Sequence, residues 1–180
     1  MEFEKKIAGY IQRHSLLSPD DRIIVGLSGG ADSVALLAVL SALGYKCIAA
    51  HCNFNLRGAE SLRDREHATE IADKLASEYQ VIDFNTEAYR RGTGQSIEMA
   101  CRSLRYRWFE QLRVQYNAAA IAVGHHREDN VETAMLNMLR GTGIAGMAGI
   151  APKSGHVVRP LLDVTRSEIC RYLQQQGLQW

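Results

Sequence analysis

The chain has 180 residues, 46% of them hydrophobic, and a formal net charge of +1. That length suits one domain with a proper core and is short for two. Near-neutrality by itself gives no reason to expect a nucleic-acid partner. No apolar run approaches the roughly 20 residues that span a bilayer, so no membrane partner is expected. The start, MEFEKKIAGYIQRH, is mixed in charge and periodic, unlike a signal peptide. The four cysteines form no C-x-x-C pair and no zinc spacing, and read as reduced thiols of a cytoplasmic protein. The 16 arginines against 5 lysines mildly favour phosphate partners, since guanidinium groups bind phosphate bidentately; a compositional habit of the genome explains the bias equally well.

In chain order, Glu2–His14 carries Phe3, Ile7, Tyr10 and Ile11 at helical spacing. Ser18-Pro19-Asp20-Asp21 is a turn. Ile23–Leu27 is short, apolar and β-branched, which predicts a buried parallel strand. It stops at Ser28-Gly29-Gly30-Ala31-Asp32-Ser33, and Val34–Leu43 then reads as an alanine-rich helix with Gly44 as its C-cap. Lys46–His51 predicts a second strand leading into a polar loop, His51–Gly58. Glu60–Ser77 is helical and Tyr79–Phe84 a third strand. Asn85–Gly94 reads as a polar connection. Gln95–Tyr116 is the longest helical pattern, with Ser96 as N-cap and Ile97, Ala100, Leu104, Trp108 and Leu112 as its apolar stripe. Ala118–Gly124 predicts the fourth strand. Glu128–Arg140 predicts a helix with Val131, Ala134, Met135, Met138 and Leu139 inward. Gly141–Gly149 is glycine-rich loop, His156–Arg159 a fifth strand, and Thr165–Gln176 a last helix capped by Thr165.

Strands alternating with helices predict an α/β fold: a doubly wound, mainly parallel five-stranded sheet with helices on both faces. Ligands bind beyond the carboxyl ends of such strands. Ser28–Ser33 follows strand one, His51–Arg57 strand two and His125–Asp129 strand four, so three polar loops converge on one edge.

The first loop is the strongest signal. Strand, glycine turn, helix aims backbone N–H groups and a positive helix end at an anion. Gly29 and Gly30 let phosphate oxygens approach the backbone, and Ser28 and Ser33 bring hydroxyls. There is no lysine from Arg22 to Leu43, so this is not a Walker loop, and it is not G-x-G-x-x-G either. The bland reading is a tight turn whose glycines serve packing alone. The second signal is Gly124–Thr133 (GHHREDNVET), where strand four becomes a helix. Asp129 and Glu132 are three apart and share a face of the first turn. Paired oxygens there suit Mg²⁺ or an incoming ammonium; the bland reading is an acidic N-terminus answering its own dipole. In the long helix Arg102 and Arg105 share a face and could hold a phosphate, while Glu98–Arg102 could equally be a solvated ion pair.

The hexapeptide S-G-G-x-D-S resembles the signature of the PP-loop, or N-type, ATP pyrophosphatases, which cleave ATP between its α and β phosphates. Further stretches narrow the resemblance. They are His51-x-Asn53-x-x-Leu56-Arg57-Gly58 with Ser61 and Asp64, Ser96-Ile97-Glu98-x-x-x-Arg102-x-x-Arg105-Tyr106, and Gly124-His125-His126-x-x-Asp129-x-x-Glu132-Thr133. Leu139–Met147 and Arg159-Pro160-Leu161-Leu162 complete them. Together these resemble the tRNA(Ile)-lysidine synthase family, which uses ATP to join L-lysine to C2 of cytidine 34 in a tRNA(Ile) with a CAU anticodon. The resemblance implies ATP and Mg²⁺. It implies Asp32, Arg105, Asp129 and Glu132 as catalytic residues, with Asp32 holding the metal. Ser28, Gly29, Gly30, Ala31, Asp32, Ser33, His51, Asn53, Arg57, Gly124 and His125 would bind the nucleotide. The family often has Asp-Asp where this chain has Glu128-Asp129, which puts a role for Glu128 in doubt. Residues 1–180 are expected to be the catalytic domain alone, with residues 1–20 an N-terminal helix and the family's C-terminal tRNA-binding domains absent. A homodimer is left open. The rivals are another PP-loop enzyme, a tRNA thiolase or amide-forming synthetase, and a non-catalytic ATP-binding module.

Overall fold

A computed structural model describes residues 1–56, 58–140 and 149–180. The glycine-rich loop expected at Gly141–Gly149 thus lies almost wholly outside the described residues, and so does Arg57. In chain order the elements are α1 (Glu2–Arg13), β1 (Arg22–Gly26), α2 (Ala31–Ala42), β2 (Lys46–Asn53), α3 (Ala59–Leu75), β3 (Glu78–Asp83), α4 (Thr86–Thr93), α5 (Ile97–Gln115), β4 (Ala120–Ala122), α6 (Arg127–Leu139), β5 (Lys153–Ser154), β6 (Val157–Val158) and α7 (Arg166–Gln176).

The sheet has six strands in the order β3-β2-β1-β4-β6-β5. All pairs are parallel except β5 with β6, a short antiparallel hairpin at the edge. The expected five strands are therefore corrected to six. The extra one is a two-residue hairpin arm, Lys153–Ser154, too short and too polar to carry a strand pattern. β1 is the central strand. The chain goes from it to β2 and β3 on one side and returns to β4 on the other, and this reversal of direction opens a crevice at the carboxyl ends of β1 and β4.

The pleat of β1 explains its uninterrupted apolar run. Ile23 and Val25 point into one core with α1, α2, α3 and α7, and Ile24 points into a second with Trp108, Phe109 and Leu112 of α5. α2 lies fully covered on its side of the sheet, from Val34 to Leu40.

Other expectations shift in informative ways. Asn85–Gly94 is not a plain connection; it contains α4, capped by Asn85, whose Oδ1 accepts the Ala88 N–H, and closed by Gly94 in the left-handed region. β2 runs past His51, so Asn53 sits inside the strand rather than in the loop after it. Ile97 is exposed, so the apolar stripe of α5 begins at Ala100. The largest correction concerns α6. None of its residues is buried, and Val131, Met135, Met138 and Leu139, expected to point inward, are exposed. Periodicity marks an apolar stripe but says nothing about what covers it.

α7 is held by a reciprocal cap. Glu168 N–H donates to Thr165 Oγ1, and Glu168 Oε2 accepts from the Thr165 N–H at 2.7 Å and its hydroxyl at 3.0 Å. The other oxygen accepts from Lys6 at 2.8 Å, tying α1 to α7. Burial opposes the Glu168 charge, but Lys6 and the Thr165 donors outweigh it and hold the carboxyl at about 2. A carboxyl depressed in the folded state stabilises above its unfolded value and loses that contribution as pH falls through the folded one. Glu168→Gln is expected to cost about 1 kcal/mol at neutral pH. In thermal unfolding scans the gap to wild type should close as the pH approaches about 2.

Candidate active site

The turn after β1 is shaped by its two serines. Ser33 Oγ donates to the Gly30 carbonyl at 2.9 Å, accepts from the Ser28 N–H at 3.1 Å, and lies 3.0 Å from Ser28 Oγ. Gly29 adopts φ +90°, a conformation that disfavours any side chain. Gly30 is the N-cap of α2 and contributes no capping side chain. The opening N–H groups of α2 therefore lack a side-chain partner at the positive end of the helix.

β4 delivers the second wall. A Cβ on Gly124 would lie 3.0 Å from the backbone carbon of Asp32 and 3.1 Å from its carbonyl oxygen. Only glycine lets the β4 loop press against the first turn of α2 this closely. One consequence is that His126 stands between two carboxylates, its Nε2 3.8 Å from Asp32 Oδ1 and 3.7 Å from Asp129 Oδ2. The phosphate-type turn and the acidic helix start thus occupy one edge of the sheet. Asp129 Oδ2 also accepts the His126 N–H at 2.9 Å and caps α6. Glu132, one turn on, is exposed.

Between these walls lies a cleft of about 550 Å³. Of the expected site residues, Ser28, Asp32, Ser33, His51, Asn53, Arg105, Gly124 and His125 line it. Gly29, Gly30 and Ala31 form the turn behind that lining; Asp129 acts on His125 of the lining, whereas Glu132 is exposed and does not line the cleft. Arg57 lies outside the described residues. The lining also includes Cys52, Phe54, Asp64, Cys101, Tyr106 and Phe109. Phe54 and the cysteines carried no sequence signal, because only the fold makes them neighbours.

His51 is buried and its Nδ1 lies 2.9 Å from the Leu27 carbonyl. A carbonyl only accepts, so Nδ1 bears the proton and Nε2 is the free acceptor. Burial pushes the His51 pKa down, the Leu27 contact opposing it in part. Asn53 is also buried, but its amide donates to Asn55 Oδ1 and Asp83 Oδ1 and its Oδ1 accepts the Asn55 N–H. That commits Asn53 to shaping the loop. Arg105 lies with its guanidinium 5.3 Å from the Phe54 ring centre, and Phe54 stacks on Phe84. Burial lowers the His125 pKa, and Arg159, Arg102 and Arg105 lower it further against the pull of Asp129. Both oxygens of Glu128 accept the Arg166 N–H at 3.2 Å, and Oε2 lies 3.0 Å from His126 Nδ1. Burial pushes the Cys52 thiol up to about 12, and Cys101 is raised for the same reason, so neither supplies a thiolate.

Among the described residues, several buried polar atoms at this edge have no hydrogen-bond partner: Asp32 Oδ1, His125 Nδ1 and Arg159 Nε. A buried carboxylate oxygen left unpaired is costly, and a cation would relieve it. Mg²⁺ is commonly held by one or two carboxylates together with substrate phosphates, so Asp32 beside this turn fits it. Among the described residues no group of three or more His, Cys, Asp or Glu side chains is placed to hold a metal ion.

The fold and this cleft define the class. The PP-loop domain family matches residues 1–180, and the chain belongs to that family. Its relatives sharpen the picture. It is 56% identical over 168 residues to the tRNA(Ile)-lysidine synthase of Parabacteroides distasonis, covering 93% of this chain and 38% of that protein. It is 51% identical over 174 residues to the tRNA(Ile)-lysidine synthase of Bacteroides thetaiotaomicron, covering 97% and 41%. The chain therefore spans about two-fifths of the length of these relatives. Among solved structures, a U34-tRNA thiolase from Methanococcus maripaludis superposes with a TM-score of 0.81 at 19% identity, covering 99% of this chain and 64% of that one. NMN synthetase from Francisella tularensis gives 0.68 at 17% identity, covering 99% and 71%. These two likenesses show the fold alone. No described helix is long and apolar enough to cross a membrane.

Gly124→Ala is expected to destabilise by about 1–3 kcal/mol, because the new methyl would meet Asp32 backbone, which cannot swing away. Chemical unfolding measures the cost. Affinity for an ATP analogue, measured by calorimetry, should fall with it.

Proposed function

We propose that the protein carrying this chain is a tRNA(Ile)-lysidine synthase that adenylates cytidine 34 of a CAU-anticodon tRNA(Ile) and then transfers L-lysine to C2. The observation that carries this reading is His126 within 4 Å of both Asp32 and Asp129, which joins the phosphate turn to the acidic helix start. Identity above 50% to lysidine synthases over nearly the whole chain supports it.

In this reading the α2 amides and the Ser28 and Ser33 hydroxyls bind the outer phosphates of ATP. Asp32 holds Mg²⁺, which when bound neutralises charge on the polyphosphate. The C2 oxygen of cytidine attacks the α-phosphorus, the α–β bridge breaks and pyrophosphate leaves. Arg105, which lines the cleft, follows the α-phosphate into the adenylate in this reading. Asp129 and Glu132 bind the lysine ammonium. A carboxylate favours that charged form, so it positions the amine while opposing its deprotonation. The proton must go elsewhere. His125, whose pKa burial lowers, lines the cleft and has no partner for Nδ1 among the described residues, so we assign it the role of base. The amine then attacks C2, the C2–O bond breaks and AMP leaves.

The test is transfer of radiolabelled lysine to an unmodified CAU-anticodon tRNA. Wild type should label it, and Asp32→Ala should lower pyrophosphate release by about 100–1,000-fold while weakening ATP binding far less. Absence of lysine transfer alongside robust ATP pyrophosphatase activity on another acceptor would favour a different PP-loop enzyme. The same assay across pH should show transfer falling on acidification below the ordinary histidine value, because His125 protonates only there. His125→Gln should remove that inflection; an unchanged acid limb would rule His125 out as the base.

A further inference from the structure

Asp32 does not meet the cleft alone. Its Oδ2 accepts a hydrogen bond from Arg166 Nη1, from the first residue of α7, whereas its Oδ1 is buried with no hydrogen-bond partner among the described residues. Arg166 lies 134 positions further along the chain. We propose that Arg166 is a positioning residue for Asp32: by taking one carboxylate oxygen it turns the other toward the cation and polyphosphate. This rests on the reading of Asp32 given above.

Arg166 is itself held in place from several directions. Its backbone N–H donates to both oxygens of Glu128. Glu128 in turn lies 3.0 Å from His126 Nδ1. The N–H groups of Glu128 itself and Arg166, with His126, overcome the burial that opposes its charge and keep it ionised below its usual range. One residue back, Thr165 caps α7. Two residues back, the Val164 carbonyl accepts the Arg127 N–H at 2.9 Å, and Arg127 Nη2 donates to the Asp163 carbonyl at 2.7 Å. The segment from Asp163 to Arg166 is thus fastened to the start of α6, and its guanidinium reaches from there to the start of α2. A planar, always-charged guanidinium on a fixed base sets a carboxylate's direction better than a mobile ammonium does.

The competing account is an ordinary ion pair on a side chain that is 45% exposed, with a role in stability alone. Arg166→Ala and Arg166→Lys separate the two, studied in the protein as it exists. Positioning predicts that Arg166→Ala binds α,β-methylene-ATP like wild type without metal, but loses about 10–100-fold of the affinity that added Mg²⁺ confers, by calorimetry. The Mg²⁺ concentration for half-maximal pyrophosphate release should rise and kcat fall by a similar factor, with KM for ATP at saturating Mg²⁺ little changed. Arg166→Lys should recover part of the loss, and an Asp32→Ala background should erase the effect of Arg166→Ala. Unaltered Mg²⁺ dependence with a lowered Tm, or full additivity with Asp32→Ala, overturns the proposal while leaving the role of Asp32 standing. A wild-type rate in Asp32→Ala overturns both. If Arg166→Ala does not fold, Arg166→Lys and Arg166→Gln carry the same comparison.

Discussion

The active edge depends on one close approach, the bare backbone of Gly124 against the first turn of α2 at Asp32. β1 and β4 pair directly, so their following loops start side by side. With no side chain at 124 the two loops touch, and His126 falls between Asp32 and Asp129. A methyl there would separate the amide turn from the acidic helix start. The rest of the cleft, from the Phe54–Phe84 stack to Arg105, is arranged around that junction.

Electrostatics at this edge differ from the near-neutral whole. Arg102, Arg105 and Arg159 act on His125, and Arg166 is paired to Asp32. Buried polar atoms without partners among the described residues gather here: Asp32 Oδ1, His125 Nδ1 and Arg159 Nε, with His67 Nε2 on the α3 side near Gly29. Folding normally satisfies such atoms, because leaving one unpaired costs about 1–3 kcal/mol. A net charge of +1 hides this local concentration, since a site acts through its own field and not through the sum over the chain.

Much of this was legible in the sequence because it is local. The strand–turn–helix at Ser28–Ser33 shows in composition alone, and Ser96 and Thr165 announce their helices as caps. The convergence of the loops after β1, β2 and β4 followed from strand alternation. What was not legible needed the third dimension or ran against pattern. α4 hides in a polar stretch because Asn85, Gly94 and the Glu87–Arg90 pair define it, with no apolar stripe. The β5–β6 hairpin has too few residues to show a period. The apolar positions of α6 were visible, but their exposure was not. Arg166 reads as one more surface arginine at a helix start until the fold sets it on Asp32.

The most direct measurement is a crystal structure of the protein with α,β-methylene-ATP and Mn²⁺ in place of Mg²⁺, with the metal located by anomalous scattering. The account predicts the metal on Asp32 through Oδ1, the outer phosphates on the Ser28–Ser33 amides and Arg166 still on Oδ2. A triphosphate seated away from that turn, or a metal bound with Asp32 uninvolved, would contradict it.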